Sequence, residues 1–246
     1  MKSEILNKTL RSYLDFEYQG RLIPLPYVLR FKPWDFRATC GKGTPTEIIS
    51  ELNHAASERN QVLGLLSTDQ VIKFMKAEGI GVDCSGLAFN LLSPLVKEKT
   101  GHNLAFYIIR YPGIMGILDK MFYGFKRIRR ISADILTNEL NTIPIDAVGD
   151  ALPGDLLRLS TLTSKHKHVA VIVEITSEKL VYAHSSRYTE EAGPHLSQIQ
   201  IKKPDKGLGD QAWLEKTNRG DPYRDLAFKP ELGDGIRRLK CLNWQK

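Results

Sequence analysis

Three side chains in this 246-residue sequence have types and spacing that suit chemistry better than packing: Cys84, His168 and His184. Gly81-Val82-Asp83-Cys84-Ser85-Gly86-Leu87 leads into Leu91, Leu92 and Leu95 at helical spacing, which places Cys84 in the first turn of an amphipathic helix over residues 83–97. Unpaired N–H groups and the positive end of the helix dipole favour a thiolate at such a position, and the same N–H groups can donate to an oxyanion. Most free cysteines are buried and act as small hydrophobes. Cys40 and Cys241 fit that description, whereas a cysteine between Asp and Ser at a helix start fits it poorly. With three cysteines, widely spaced and without a CxxC pair, neither a disulfide framework nor a structural zinc site is suggested, and at least one thiol is expected to be free.

A thiol nucleophile needs a base within hydrogen-bond reach, and the base needs a third group to fix its tautomer. His168 opens the run His168-Val-Ala-Val-Ile-Val-Glu-Ile, and His184 closes Leu180-Val-Tyr-Ala-His184. Only a few residues around Ser177 and Glu178 join the two runs, which reads as a hairpin. Folding it sets the two imidazoles as cross-strand or diagonal neighbours, roughly 5 to 8 Å apart at Cβ. The expected catalytic set is Cys84 as nucleophile, His168 as base and His184 as the group that orients the base. Asp83 and Ser85 flank the nucleophile and are expected to contact substrate. His166 reads as solvated loop, and His54, His102 and His195 as surface or core residues. Zinc on Cys84, His168 and His184 would be chemically acceptable, but catalytic zinc ligands usually come paired at short spacing, and no such pair occurs. No metal and no cofactor is expected.

The elements that must position these residues follow from periodicity. Helices are expected over residues 3–16, over 44–59 (Thr44 as N-cap, Pro45 at the first position, Glu47 completing a capping box) and from Ser67 or Thr68 to Gly79. Residues 22–43 read as an irregular wrap. Beyond Pro153 the period shortens, and strands are expected over 155–160, 168–176, 179–185, 196–202 and 235–240. Helices followed by strands argue for an α+β fold, an antiparallel sheet with helices packed on it. Residues 102–130 hold apolar pieces broken by Arg110, Pro112, Asp119 and Lys120, then the basic run Lys126, Arg127, Arg129 and Arg130. No piece reaches the ~20 apolar residues of a membrane span. The segment reads as an insertion packed on the core, in preference to a lid or an interfacial membrane contact.

Composition, at 42% hydrophobic and 26% charged, is that of a soluble globular chain. A net charge of +7 favours an anionic partner, but no RNP-like motif, zinc-finger spacing or Gly-rich phosphate loop supports nucleic acid. The first thirty residues carry charges throughout and show no secretory signal, so action where the chain is made, or non-classical delivery, is expected.

Asp83-Cys84-Ser85-Gly86-Leu87 resembles the Asp-Cys-Ser-Gly signature of NlpC/P60 cysteine peptidases. Pro153-Gly-Asp155-Leu156-Leu157 resembles the start of one of their strands, and His168-Val-Ala-Val-Ile the strand that bears their base. Ala183-His184-Ser185-Ser186 is similar to the strand of the third polar residue, and Gly235-Ile-Arg237-Arg238-Leu to the closing strand. The resemblance implies a papain-like fold with the nucleophile at a helix N-terminus, over residues 79–246, carrying an insertion at about 100–135, with 1–78 as a helical extension packed on the core. It further implies a monomer that cleaves stem-peptide amide bonds of peptidoglycan, typically beside a γ-linked D-glutamate, through a thioester and without metal or organic cofactor, at the cell envelope. Three departures stand out: residues 71–82 lack the Tyr that often precedes the signature, the interval from Cys84 to His168 is long, and wall-binding repeats are absent. The alternatives are a CHAP-like amidase or acyltransferase on the same scaffold, and a non-catalytic module that binds an anionic polymer.

Overall fold

The computed structural model describes residues 3–29, 36–123, 128–160 and 167–243. Helix α1 (Glu4–Leu14) is followed by a two-residue hairpin, β1 (Glu17–Tyr18) with β2 (Arg21–Leu22), and then by α2 (Pro45–Glu58) and α3 (Thr68–Glu78). Both α2 and α3 begin with complete capping boxes, Thr44 with Glu47 and Ser67 with Gln70, so reciprocal bonds satisfy orphan N–H groups at each start. Helix α4 (Cys84–Thr100) runs three residues past its expected end and stops at Gly101, which has φ +75°. Its first turns and Leu87, Leu91 and Leu92 are buried, because α1 packs on it through Leu6, Leu10 and Tyr13 and the sheet through Val169, Val171 and Val173. Residues of the first 78 thus share one apolar cluster with α4.

Seven strands form one antiparallel sheet: β3 (Thr142–Ile145), β4 (Leu156–Ser160), β5 (Lys167–Ile175), β6 (Lys179–Ser186), β7 (Gly193–Gln200), β8 (Ala212–Trp213) and β9 (Gly235–Leu239), in spatial order β3-β9-β4-β5-β6-β7-β8. The molecule is therefore α+β, as its element order suggested. Alternation gives the sheet two dry faces: Leu156, Val169, Val171 and Ala183 meet α4, while Leu157, Ala170, Ile172 and Tyr182 pack against Tyr223 and Ala227 of α8 (Tyr223–Ala227). Strands β3 and β8 were not anticipated. One is four residues long with a proline inside, the other two, so neither shows an alternation of its own.

The wrap over residues 22–28 and 38–43 is tied to the segment that leads into α4 by backbone bonds: Val82 N–H donates to the Pro26 carbonyl, and Asp83 N–H to that of Gly41, each at 3.0 Å. Gly86 makes this approach possible, since a Cβ there would overlap the Gly41 carbonyl oxygen. The insertion contains α5 (Leu104–Tyr107), α6 (Gly113–Tyr123) and α7 (Ala133–Thr137). Leu104, Ile108 and Ile131 pack into the core as expected, but Ile114 and Met115 of α6 are 75% and 62% exposed. The cause is a buried ion pair, Arg110 with Asp119 at 2.6 Å, which turns the charged side of α6 inward. No helix among the described residues is long and apolar enough to cross a membrane.

Candidate active site

Asp83 is the N-cap of α4 and accepts from Gly86 N–H at 2.5 Å, so Cys84 is the first helical residue. Asp83 also takes both oxygens of its carboxylate to Lys42 Nζ, at 2.8 and 2.7 Å, and Lys42 in turn contacts Ser85 Oγ. All three side chains are buried. The expectation that Asp83 and Ser85 contact substrate is corrected: their polar atoms are spent on Lys42 and on the helix cap, and neither is accessible. Their role is to hold the loop at residues 38–43 against the start of α4. Removing one partner of such a buried pair costs about 3–5 kcal/mol.

The Cys84 thiol is 8% exposed. Burial pushes its pKa up to about 12 and the Asp83 charge adds to this, against the opposing pull of Lys42 and of the nearby Val169 and Ser85 N–H groups. The helix start does stabilise a thiolate, but desolvation outweighs it, so the resting group is a neutral thiol rather than the expected thiolate. The influence of Val169 N–H on the thiol puts Cys84 near the start of β5, next in sequence to His168.

His168 and His184 lie as the hairpin reading required. The pairing of Val171 with Ala183 puts His184 opposite Ala170 and diagonal to His168, and His168 Nε2 is 2.8 Å from His184 Nδ1. Ser185 Oγ donates to the Val82 carbonyl at 2.7 Å, which fastens the end of β6 to the segment that leads into α4. With Nε2 of His168 engaged by His184, Nδ1 is the ring nitrogen left over. No hydrogen bond joins Cys84 Sγ to His168, a looseness common in unliganded sites. Burial lowers the His168 pKa well below 6.5, with His184 adding to the effect, and burial lowers that of His184 also. Both rings are therefore neutral at pH 7, as a general base and its acceptor must be. His184→Gln is expected to keep at least about tenfold more turnover than His184→Ala, because an amide oxygen can still accept from His168 and the amide N–H can still donate beyond it. Equal losses in steady-state kcat for the two variants would remove His184 from the triad.

Two site residues escaped the sequence reading. His195 on β7 pairs directly with His184, and Glu215, just after β8, puts Oε1 2.7 Å from His184 Nε2 and 2.8 Å from His195 Nε2. Tyr182 Oη contacts the other carboxylate oxygen of Glu215, and Tyr223 packs edge-on to both His168 and His184. A period-2 reading begun at Gly193 would have placed His195 inward; nothing local marks Glu215. Among the described residues, His184, His195 and Glu215 also form a set whose donor atoms could converge on a metal. Tetrahedral ligands about 2.0–2.1 Å from zinc would stand farther apart than the 2.7 and 2.8 Å that separate Glu215 Oε1 from the two imidazole nitrogens, which are hydrogen-bond lengths.

His54 and His102 are exposed, the first near Glu58 and the second stacked on Phe106. All three cysteines are free; Cys40 is buried and Cys241 half-buried against the core. His166, Lys126 and Arg127 lie outside the described residues. Compared with protein-family models, with curated proteins and with solved structures, the chain matches none.

Proposed function

We propose that the chain is a cysteine hydrolase of papain-like, NlpC/P60-type architecture that cleaves amide bonds of peptidoglycan stem peptides or of related γ-glutamyl or D-amino-acid peptides. The observation that carries the chemistry is the 2.8 Å contact from His168 Nε2 to His184 Nδ1, with a helix-start cysteine near the N–H of Val169, the residue after His168. His168 takes the thiol proton as Sγ attacks the carbonyl carbon, and the Cys84 N–H helps hold the oxyanion. His168 then returns the proton to the leaving amine, and water attacks the thioester. Neither step needs a metal or an organic cofactor. The substrate class rests on the motif resemblance and on the net charge of +7, which suits an acidic wall polymer; action at the cell envelope would follow from that substrate.

The test is digestion of purified peptidoglycan and of isolated stem peptides, with fragments identified by mass spectrometry. New amine and carboxyl ends within the stem, absent with Cys84→Ala, are expected. Intact stems after prolonged digestion would refute the substrate, and a thioester trapped by hydroxylamine on another acyl donor would favour acyl transfer on the same scaffold.

A further inference from the structure

The hydrogen-bonded series does not end at His184. His195 Nδ1 lies 2.8 Å from the Gly193 carbonyl oxygen, which only accepts, so Nδ1 carries a proton. His195 Nε2 faces Glu215 Oε1 at 2.8 Å, and that contact is attractive only if Nε2 is protonated too. His195 is then an imidazolium paired with an ionised Glu215. The same oxygen accepts from His184 Nε2 at 2.7 Å, so His184 carries its proton on Nε2 and offers a lone pair at Nδ1. His168 must donate to that lone pair from Nε2, which leaves its own Nδ1 unprotonated.

We propose that Glu215 is a positioning residue of this site: with His195 as its counter-cation, it fixes the tautomer of His184 and through it that of His168, keeping the basic nitrogen at Nδ1. The proposal rests on the reading of Cys84 and His168 as nucleophile and base. The groups facing the pair are His168 from β5, Tyr182 and His184 from β6, Tyr223 from α8 and Glu191 ahead of β7. Their effects agree with the assignment. Burial opposes the ionised form of Glu215, but bonds from His184, His195 and Tyr182 outweigh it and lower its pKa to about 2. Burial likewise opposes the charge on His195, but the bonds to Glu215 and Gly193 raise its pKa above 6.5.

The arrangement contains a second acceptor. His195 Nε2 is 2.9 Å from His184 Nε2 and can accept from it once His195 is neutral. In Glu215→Ala, His184 therefore keeps an acceptor only above the pKa of His195, which is expected to fall towards the usual value of about 6.5 when its counter-charge is lost. The expected result is an acid limb in kcat, a drop of about tenfold or more between pH 8 and pH 5.5, with KM little changed, where the wild type is flat. Glu215→Gln, whose amide oxygen still accepts, should stay flat while the His195 titration moves down as its ionised partner is lost. A structural role alone would lower activity alike at every pH.

Histidine 15N NMR on the full chain reads the tautomers without any substrate, so failure of the hydrolase reading and failure of this one are separable. A wild-type spectrum with His168 protonated at Nε2 and His195 doubly protonated at pH 7 is expected. His168 protonated at Nδ1, or a Glu215→Ala profile as flat as the wild type, would overturn the proposal. If Glu215→Ala does not fold, the wild-type spectrum and the Glu215→Gln titration decide.

Discussion

Cys84→Ala is expected to reduce turnover by roughly 10⁴-fold or more while leaving the fold intact, since it removes the thiol that would form the covalent acyl intermediate. The stability cost should be about 1 kcal/mol, because one buried sulfur is lost. Cys40→Ala and Cys241→Ala remove thiols that only pack, Cys40 with a 3.4 Å contact to the Arg37 carbonyl, so their turnover should match the parent within about twofold. The measurement is kcat/KM on an isolated stem peptide alongside a thermal melt of each variant. Retained activity in Cys84→Ala with an unchanged melt would refute the nucleophile assignment. The neutral resting thiol adds a second readout. Alkylation of Cys84 by iodoacetamide should be slow at pH 6 and keep accelerating above the reference thiol pKa of about 8.5, not level off below it.

The parts of this site that sequence exposes are those built from short-range pattern. Asp83 as N-cap, the 3.6-residue period of α4 and the alternation of β5 and β6 each span fewer than twenty residues, and together they place Cys84, His168 and His184. What stays hidden is made by contacts between distant segments. Lys42 meets Asp83 across 41 positions and Glu215 meets His184 across 31, and neither sits in a periodic run that would turn it inward. The thiol shows the same division. A helix start is a local feature and favours the thiolate, whereas burial depends on how the wrap over residues 22–43, α4 and the sheet close around sulfur, and burial decides the outcome. The inward turn of Asp119, which leaves Ile114 and Met115 facing out, likewise depends on a partner nine residues away in a non-helical stretch.

His168→Ala is expected to cost nearly as much as loss of the thiol, because nucleophile and base act as one unit and a neutral thiol with a pKa of about 12 is unreactive without a proton acceptor. Cys84 depends on its base more strictly than a preformed thiolate would. His166→Ala should be mild, since the ring that meets His184 belongs to His168, and equal damage from both variants would undo the choice between them. The pH profile follows from the direction of the shift. A base works while neutral, and burial holds the His168 pKa well below 6.5, so kcat/KM should stay flat as pH falls through 6.5 and decline only beneath it. A half-maximal rate at the ordinary histidine pKa would show that the ring is solvated in the working enzyme. Stability moves in the same direction and has to be measured in parallel. Below 6.5 the unfolded chain takes up protons that buried His168 and His184 refuse, so stability drops as pH falls towards their lowered values, and Glu215 adds a further loss between 4.5 and about 2. His195, with its pKa raised, has the opposite sign: its contribution is full below 6.5 and is lost as pH climbs through its folded value. The acid limb therefore reports on the base only where a melt at the same pH shows the chain folded.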